Sequence, residues 1–186
     1  MRPAARKSLL TLHVICSVGW LGAVAAFLAM NVVGLTSEDT ALSRAMFRAM
    51  NVAGLYVVVP TSIGSVTSGI LQGVWTQWGL LRHRWVAIKL LIGVFATILL
   101  LLHQFTAVTE AASRAESGIP VGAVGVQLVV DASLAVAALL FATGLSTFKP
   151  WGQVKTPPRK LVLVVIVAVL VVIVVKHIAG GGMHHH

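Results

Sequence analysis

Charged residues are scarce in this sequence. Only 10% of its 186 residues are Asp, Glu, Lys or Arg, whereas a soluble globular domain has about 25%. Hydrophobic residues make up 58%, and no polar stretch between the apolar runs is long enough to fold alone. The chain is therefore predicted to be a membrane protein made of a single membrane domain, residues 1–186.

Cysteine and catalytic signatures are also lacking. The single cysteine, Cys16, excludes a disulfide within the chain and any metal site of several thiolates, and no metal site is predicted. No phosphate-binding loop, metalloprotease motif or hydrolase nucleophile motif is present, which leaves the question of an enzyme open. The net charge of +9 is divided among short segments between apolar runs, as topology signals are, so nucleic acid is not expected as a partner.

Five apolar runs are candidates for membrane-spanning helices. We predict an all-α fold, a polytopic transmembrane helical bundle of four core helices with a peripheral fifth that is almost entirely Val, Ile and Leu. The predicted helices are about 8–35, 40–74, 85–106, 121–145 and 161–176. Residues 177–186 are predicted to be a flexible tail, whose last three histidines are interpreted as an unstructured end or a truncated tag.

The distribution of charge predicts the orientation. Basic residues precede the first, third and fifth helices, whereas four of the five acidic residues follow the first and third. The positive-inside rule then places the N-terminus in the cytoplasm and the C-terminus outside, in a multi-pass protein of a bacterial plasma membrane. The bilayer is the expected partner. The 17 glycines are typical of closely packed membrane helices, and a second copy or another membrane subunit is a further candidate partner, bound through faces of small residues.

The third helix carries a stripe of ionisable residues. Arg82, Lys89 and His103 are spaced by multiples of seven and therefore lie along one face. Ionisable residues within a span usually face the bundle interior. His13 and Lys89 each lie a few residues from the same membrane side and are expected at matching depth. His103 lies roughly 21 Å beyond Lys89 at 1.5 Å per residue, which excludes one haem bridging His13 and His103.

Two layers of polar candidates follow from these depths. For His13 the alternatives are a hydrogen-bonded histidine near the headgroups, or an axial ligand or proton carrier. Lys89 either extends to the interface or holds a carboxylate or quinone oxygen. Asp131 is either a structural partner of another polar residue or a proton or cation site. The inner layer comprises His13, Trp20, Trp85 and Lys89, with His83 at the interface. The outer layer comprises Arg48, His103, Gln104 and Gln127, with Asp131 somewhat deeper and Arg48 or His103 as its candidate partner.

Three stretches resemble a known family. LLTLHVICSVGWLGAVAAFLAMNVVGL, TQWGLLRHRWVAIKLLIGVFATILLLLH and GLSTFKPWG resemble the first helix, the third helix and the end of the fourth helix of an actinobacterial family of predicted integral membrane proteins. More distantly, the layout is similar to the superfamily of copper-resistance protein D, which includes HemJ-type protoporphyrinogen oxidases. His13, Trp85 and Lys89 match that superfamily's histidine in an early helix and its later tryptophan-then-lysine pattern.

The resemblance implies a cofactor and a leading function. His13 would be a ligand of haem b, and Lys89 would contact a haem propionate or a carboxylate-bearing substrate. The leading hypothesis is therefore a haem-binding or redox component of the membrane. The alternatives are a small transporter for an ion such as copper, based on Asp131, His103 and Gln127, and a non-catalytic subunit of a membrane complex.

Overall fold

The computed structural model describes residues 3–75 and 83–149, apart from the side chains of residues 103–105. Within these ranges the chain is helical and has no strand. Two π-helical turns join neighbouring α-helices: the first π turn, Gly54–Val58, and the second π turn, Gln104–Val108. The α-helices are α1 (Pro3–Thr36), α2 (Thr40–Ala53), α3 (Val59–Trp75), α4 (Arg84–His103), α5 (Thr109–Glu116) and α6 (Gly122–Phe148).

Four segments of the described chain are long and apolar enough to cross a membrane. This confirms the predicted all-α bundle with four core helices. The predicted fifth helix, 161–176, and the predicted tail, 177–186, lie outside the described residues. The four segments are Pro3–Thr36, Thr40–Trp75, Arg84–Leu102 and Gly122–Phe148.

The membrane helices form a closed ring in which each packs against two others. α1 packs against α3 and α6, and α4 packs against the same two helices from the opposite side. The two short helices, α2 and α5, pack against each other at one end of the bundle. We call this end the distal end, and the end where α1 begins the N-terminal end.

At the distal end, local sequence signals fix where α2 begins and where α5 ends. Asp39 caps α2, because its carboxylate accepts hydrogen bonds from the backbone N–H groups of Ala41 at 2.8 Å and Leu42 at 3.3 Å. After α5, Gly118 adopts a left-handed conformation with φ +70°, and the N–H of Ile119 donates to the carbonyl of Arg114 at 2.9 Å. This is a Schellman motif, which satisfies the last carbonyls of the helix.

Proline accounts for the position of the first π turn. Pro60 has no N–H group, and its ring would clash with the carbonyl four residues earlier in a regular helix. The chain widens just before it, so that the N–H of Val59 donates to the carbonyl of Gly54, five residues back. A continuous helix can thus accommodate the proline without breaking.

Two apolar clusters lie inside the bundle. The cluster at the distal end centres on Phe47 and Met50, which pack against alanines of α5. The second cluster lies closer to the N-terminal end and contains Trp20, Val58 and Leu139. The hydrogen-bonded side chains of His13, Ser17 and Ser68 lie beyond the second cluster, towards the N-terminal end.

Candidate functional site

His13 joins α1 to α3 at the N-terminal end. Its ring nitrogen Nδ1 lies 3.0 Å from the backbone carbonyl oxygen of Ser65 and 3.1 Å from the hydroxyl oxygen of Ser68. The carbonyl can only accept a hydrogen bond, so Nδ1 carries the proton and donates it. Nε2 therefore holds the lone pair in the neutral ring and faces the Ser17 hydroxyl at 3.5 Å.

Small residues of α3 make this contact between helices close. A methyl group added at Gly69 would come within 3.1 Å of the His13 ring, and one at Gly64 would come within 2.8 Å of the Cys16 sulfur. Ser17 and Ser65 meet hydroxyl to hydroxyl at 2.8 Å. The run of small residues in the second span thus acts as the sequence predicts, by letting α1 approach the α3 backbone.

Lys89 and Trp85 occupy the first turns of α4. The ammonium group of Lys89 donates to the Ser146 hydroxyl of α6 at 2.7 Å, and Trp85 is buried with its ring 6.1 Å from that of His83, centroid to centroid. Lys89 is near enough to His13 for the two side chains to interact electrostatically. His13 and Lys89 therefore lie at the same level of the bundle, each with a hydrogen-bonding partner in another helix.

The residues of the outer layer are not all brought together. Arg48 is exposed and forms an ion pair with Glu116, at 3.4 Å between Nε and Oε1. Gln127 is exposed as well. His103 is the last residue of α4, and its side chain is outside the part described. Asp131 is half-buried, its Oδ2 atom is inaccessible, and it faces the bundle interior.

A cavity of about 300 Å³ lies beside Asp131. Its wall is formed by α1, α4 and α6, with contributions from both π turns. Apart from the Asp131 carboxylate and the Trp20 indole, the wall is entirely aliphatic or phenyl. The lining residues are Trp20, Val24, Phe27, Val58, Ile92, Phe95, Ala96, Leu99, Leu100, Val108, Leu128, Asp131, Ala132, Leu134, Ala135 and Ala138.

Both π turns end at the cavity. Val58 is the last residue of the first π turn and Val108 is the last of the second, and both side chains are buried in the cavity wall. Such turns insert one residue into a helix and are frequent at functional sites. The two π turns therefore indicate a functional site at the level of Asp131 in the bundle, rather than at the level of His13.

Two buried polar residues escaped prediction from the sequence. Asn31 is fully buried, and its Nδ2 donates to the carbonyl of Gly125 at 3.2 Å, whereas its Oδ1 accepts no hydrogen bond from the residues described. The Thr97 hydroxyl is also buried without a partner within those ranges. Both lie in strongly apolar runs, where a single neutral polar residue gives only a weak signal.

Comparisons with known proteins add no identification. The chain matches no family model, no curated protein and no solved structure. Among the residues described, no three His, Cys, Asp or Glu side chains come together in a way that could hold a metal ion. The class that the structure defines is a helical bundle with four helices long and apolar enough to cross a membrane, and its function is argued from the cavity and its wall.

Proposed function

We propose that the protein binds a lipophilic small molecule inside the membrane, in the cavity between α1, α4 and α6. The observation that carries this proposal is an apolar cavity with one carboxylate in its wall. Small-molecule sites are commonly 300–1,000 Å³, mostly apolar, and orient their ligand with a few polar groups. The Asp131 carboxylate is the polar group that orients the ligand here, by accepting a hydrogen bond from the ligand's polar head.

The composition of the wall also favours an amphiphilic occupant. Its aliphatic and phenyl side chains suit an apolar body, and the Asp131 carboxylate suits a polar head. An acid within a membrane helix is costly and usually marks a functional site.

Binding of octadecylamine to the protein in phosphatidylcholine nanodiscs tests the proposal. This probe joins a long apolar body to a cationic head, and empty nanodiscs correct for partition into lipid. We expect saturable binding of about one probe per chain, as is usual for such sites. Ala138→Phe adds a phenyl ring to the cavity wall and should weaken binding at least tenfold, or about 1.4 kcal/mol.

The neighbouring residue provides the matched control. Ala137 is exposed and does not line the cavity, whereas Ala138 does. Ala137→Phe adds the same side chain and should leave binding unchanged. Binding that never saturates, or that survives in Ala138→Phe, would refute the proposal.

A haem ligated by His13 is the second candidate, and one observation favours it. The bond from Nδ1 to the Ser65 carbonyl leaves Nε2 with the lone pair that a ligand nitrogen needs, and a carbonyl partner of this kind is usual for ligating histidines. The surroundings fit haem poorly, because the ring packs on Gly69 and the cavity wall contains no histidine, cysteine or methionine. We therefore rank it second.

An absorbance spectrum separates the two candidates. The haem proposal predicts a Soret band in purified protein supplied with haem, and its loss in His13→Ala. If protein that binds octadecylamine shows no such band, the haem proposal is wrong and the cavity proposal stands.

A further inference from the structure

Among the residues described, the wall of the cavity is closed on one side and open on the other. The lining residues of α1 and of the two π turns, such as Trp20, Val58 and Val108, are buried. In contrast, Phe95 of α4 is 64% exposed and Leu134 of α6 is 65% exposed, although both line the cavity. The opening therefore lies between α4 and α6.

The opening is at the level of the hydrocarbon core. Phe95 lies near the middle of the span Arg84–Leu102, and Leu134 near the middle of Gly122–Phe148. The polar ends of these helices, marked by Arg84 and Lys149 at the N-terminal end, are many residues away. A molecule at this opening is surrounded by lipid acyl chains rather than by water.

We infer that the ligand passes between the bilayer and the cavity sideways, through an opening between α4 and α6 framed by Phe95, Leu99 and Leu134. This inference rests on the proposed function and narrows the ligand class. The ligand is a membrane-soluble amphiphile with a long apolar body and a hydrogen-bond-donating head, such as an amine, that reaches Asp131. An opening at the level of the acyl chains admits a molecule dissolved in the membrane.

Phe95 is the side chain most suited to control passage. It is the largest of the three residues that frame the opening, and it lines the cavity while remaining largely exposed on the outside of α4. A side chain that blocks a route raises the barrier for binding and for release alike. Its removal should therefore change both rates more than it changes the affinity.

The rates can be followed by quenching of Trp20, which lies in the cavity wall. The probe is octadecylamine brominated at mid-chain, delivered from phosphatidylcholine vesicles in a stopped-flow instrument. Trp20→Phe protein is measured in parallel, so that the difference signal belongs to Trp20 alone. Phe95→Ala is compared with Phe141→Ala, a residue that is 55% exposed on α6 but does not line the cavity.

We expect Phe95→Ala to accelerate both association and dissociation about tenfold, which corresponds to about 1.4 kcal/mol in the barrier, and Phe141→Ala to behave like the unchanged protein. If Phe95→Ala leaves both rates unchanged while Ala138→Phe abolishes quenching, the sideways route is wrong and the proposed function stands. If the unchanged protein shows no saturable quenching of Trp20, the proposed function fails, and the route fails with it.

Discussion

The N-terminal end of the bundle and its centre use polar residues in different ways. At the N-terminal end, polar side chains bind across helix pairs: His13 to Ser65, Gln72 to the Leu9 carbonyl, and Lys89 to Ser146. In the centre, a single acid, Asp131, stands in an otherwise apolar wall beside a cavity. The depth of a polar residue in the bundle therefore does not by itself identify a binding site. What distinguishes the centre is space for a ligand next to a polar group.

The distal end provides a third kind of packing. Alanines of α5 pack against Phe47 and Met50, and a methyl group added at Gly34 would lie only 3.0 Å from the Phe47 ring. This cluster is dense and free of buried charge. It supports the cavity from the distal side, because the second π turn connects α5 directly to the helix that lines the cavity.

Phe47→Ala should cause the largest loss of stability. Phe47 is 1% exposed, and truncation of a buried phenylalanine costs about 3–5 kcal/mol. Unfolding in mixed micelles by a denaturing detergent measures the effect. Phe141→Ala is the matched control, because that ring is exposed on the surface of α6, and it should cost far less. Equal losses for the two variants would show that the distal cluster is not the densely packed region described.

Asp131→Asn should have the next largest effect, on binding rather than on folding. Hydrogen bonds to charged groups contribute about 1.5–3 kcal/mol, so affinity for octadecylamine should fall by roughly ten- to hundredfold. Glu110→Gln is the control, since that carboxylate pairs with Arg114 at 2.6 Å on the surface of α5. Equal affinity in Asp131→Asn and the unchanged protein would show that the Asp131 carboxylate does not contribute to binding of octadecylamine.

His13→Ala should have the smallest effect. Hydrogen bonds between membrane helices contribute about 0.6 kcal/mol on average and up to about 1.7 kcal/mol, so a loss of stability within that range is expected. Binding of octadecylamine should not change, because His13 does not line the cavity. Thr11→Ala serves as the control, since its hydroxyl donates to the Lys7 carbonyl of its own helix. A loss of octadecylamine binding in His13→Ala would contradict the separation between the two regions.

Much of the fold could be predicted because hydropathy acts over whole helices. The four apolar runs correspond to the four membrane helices, and Gly118 ends the segment after α4 through its left-handed conformation. The π turns could not be predicted, because one inserted residue hardly alters an apolar pattern. Pro60 indicated only that the second membrane helix is irregular.

The site was harder to predict than the fold. Asp131 is recognisable from the sequence as an acid inside an apolar run, because charge in such a run is a strong signal, and it lies within α6. Its surroundings depend on tertiary packing: Arg48 pairs with Glu116 because α5 lies against α2, and Gln127 faces outward. The cavity itself left no pattern in the sequence, since its wall consists of ordinary helix-forming apolar residues.

Native mass spectrometry of the protein released from its own membranes tests the central claim most directly. The account predicts a bound molecule of defined mass that is retained in Ala137→Phe and His13→Ala and lost in Ala138→Phe. A bound mass that persists in Ala138→Phe and disappears in His13→Ala would contradict it, and would place the ligand at the N-terminal end instead.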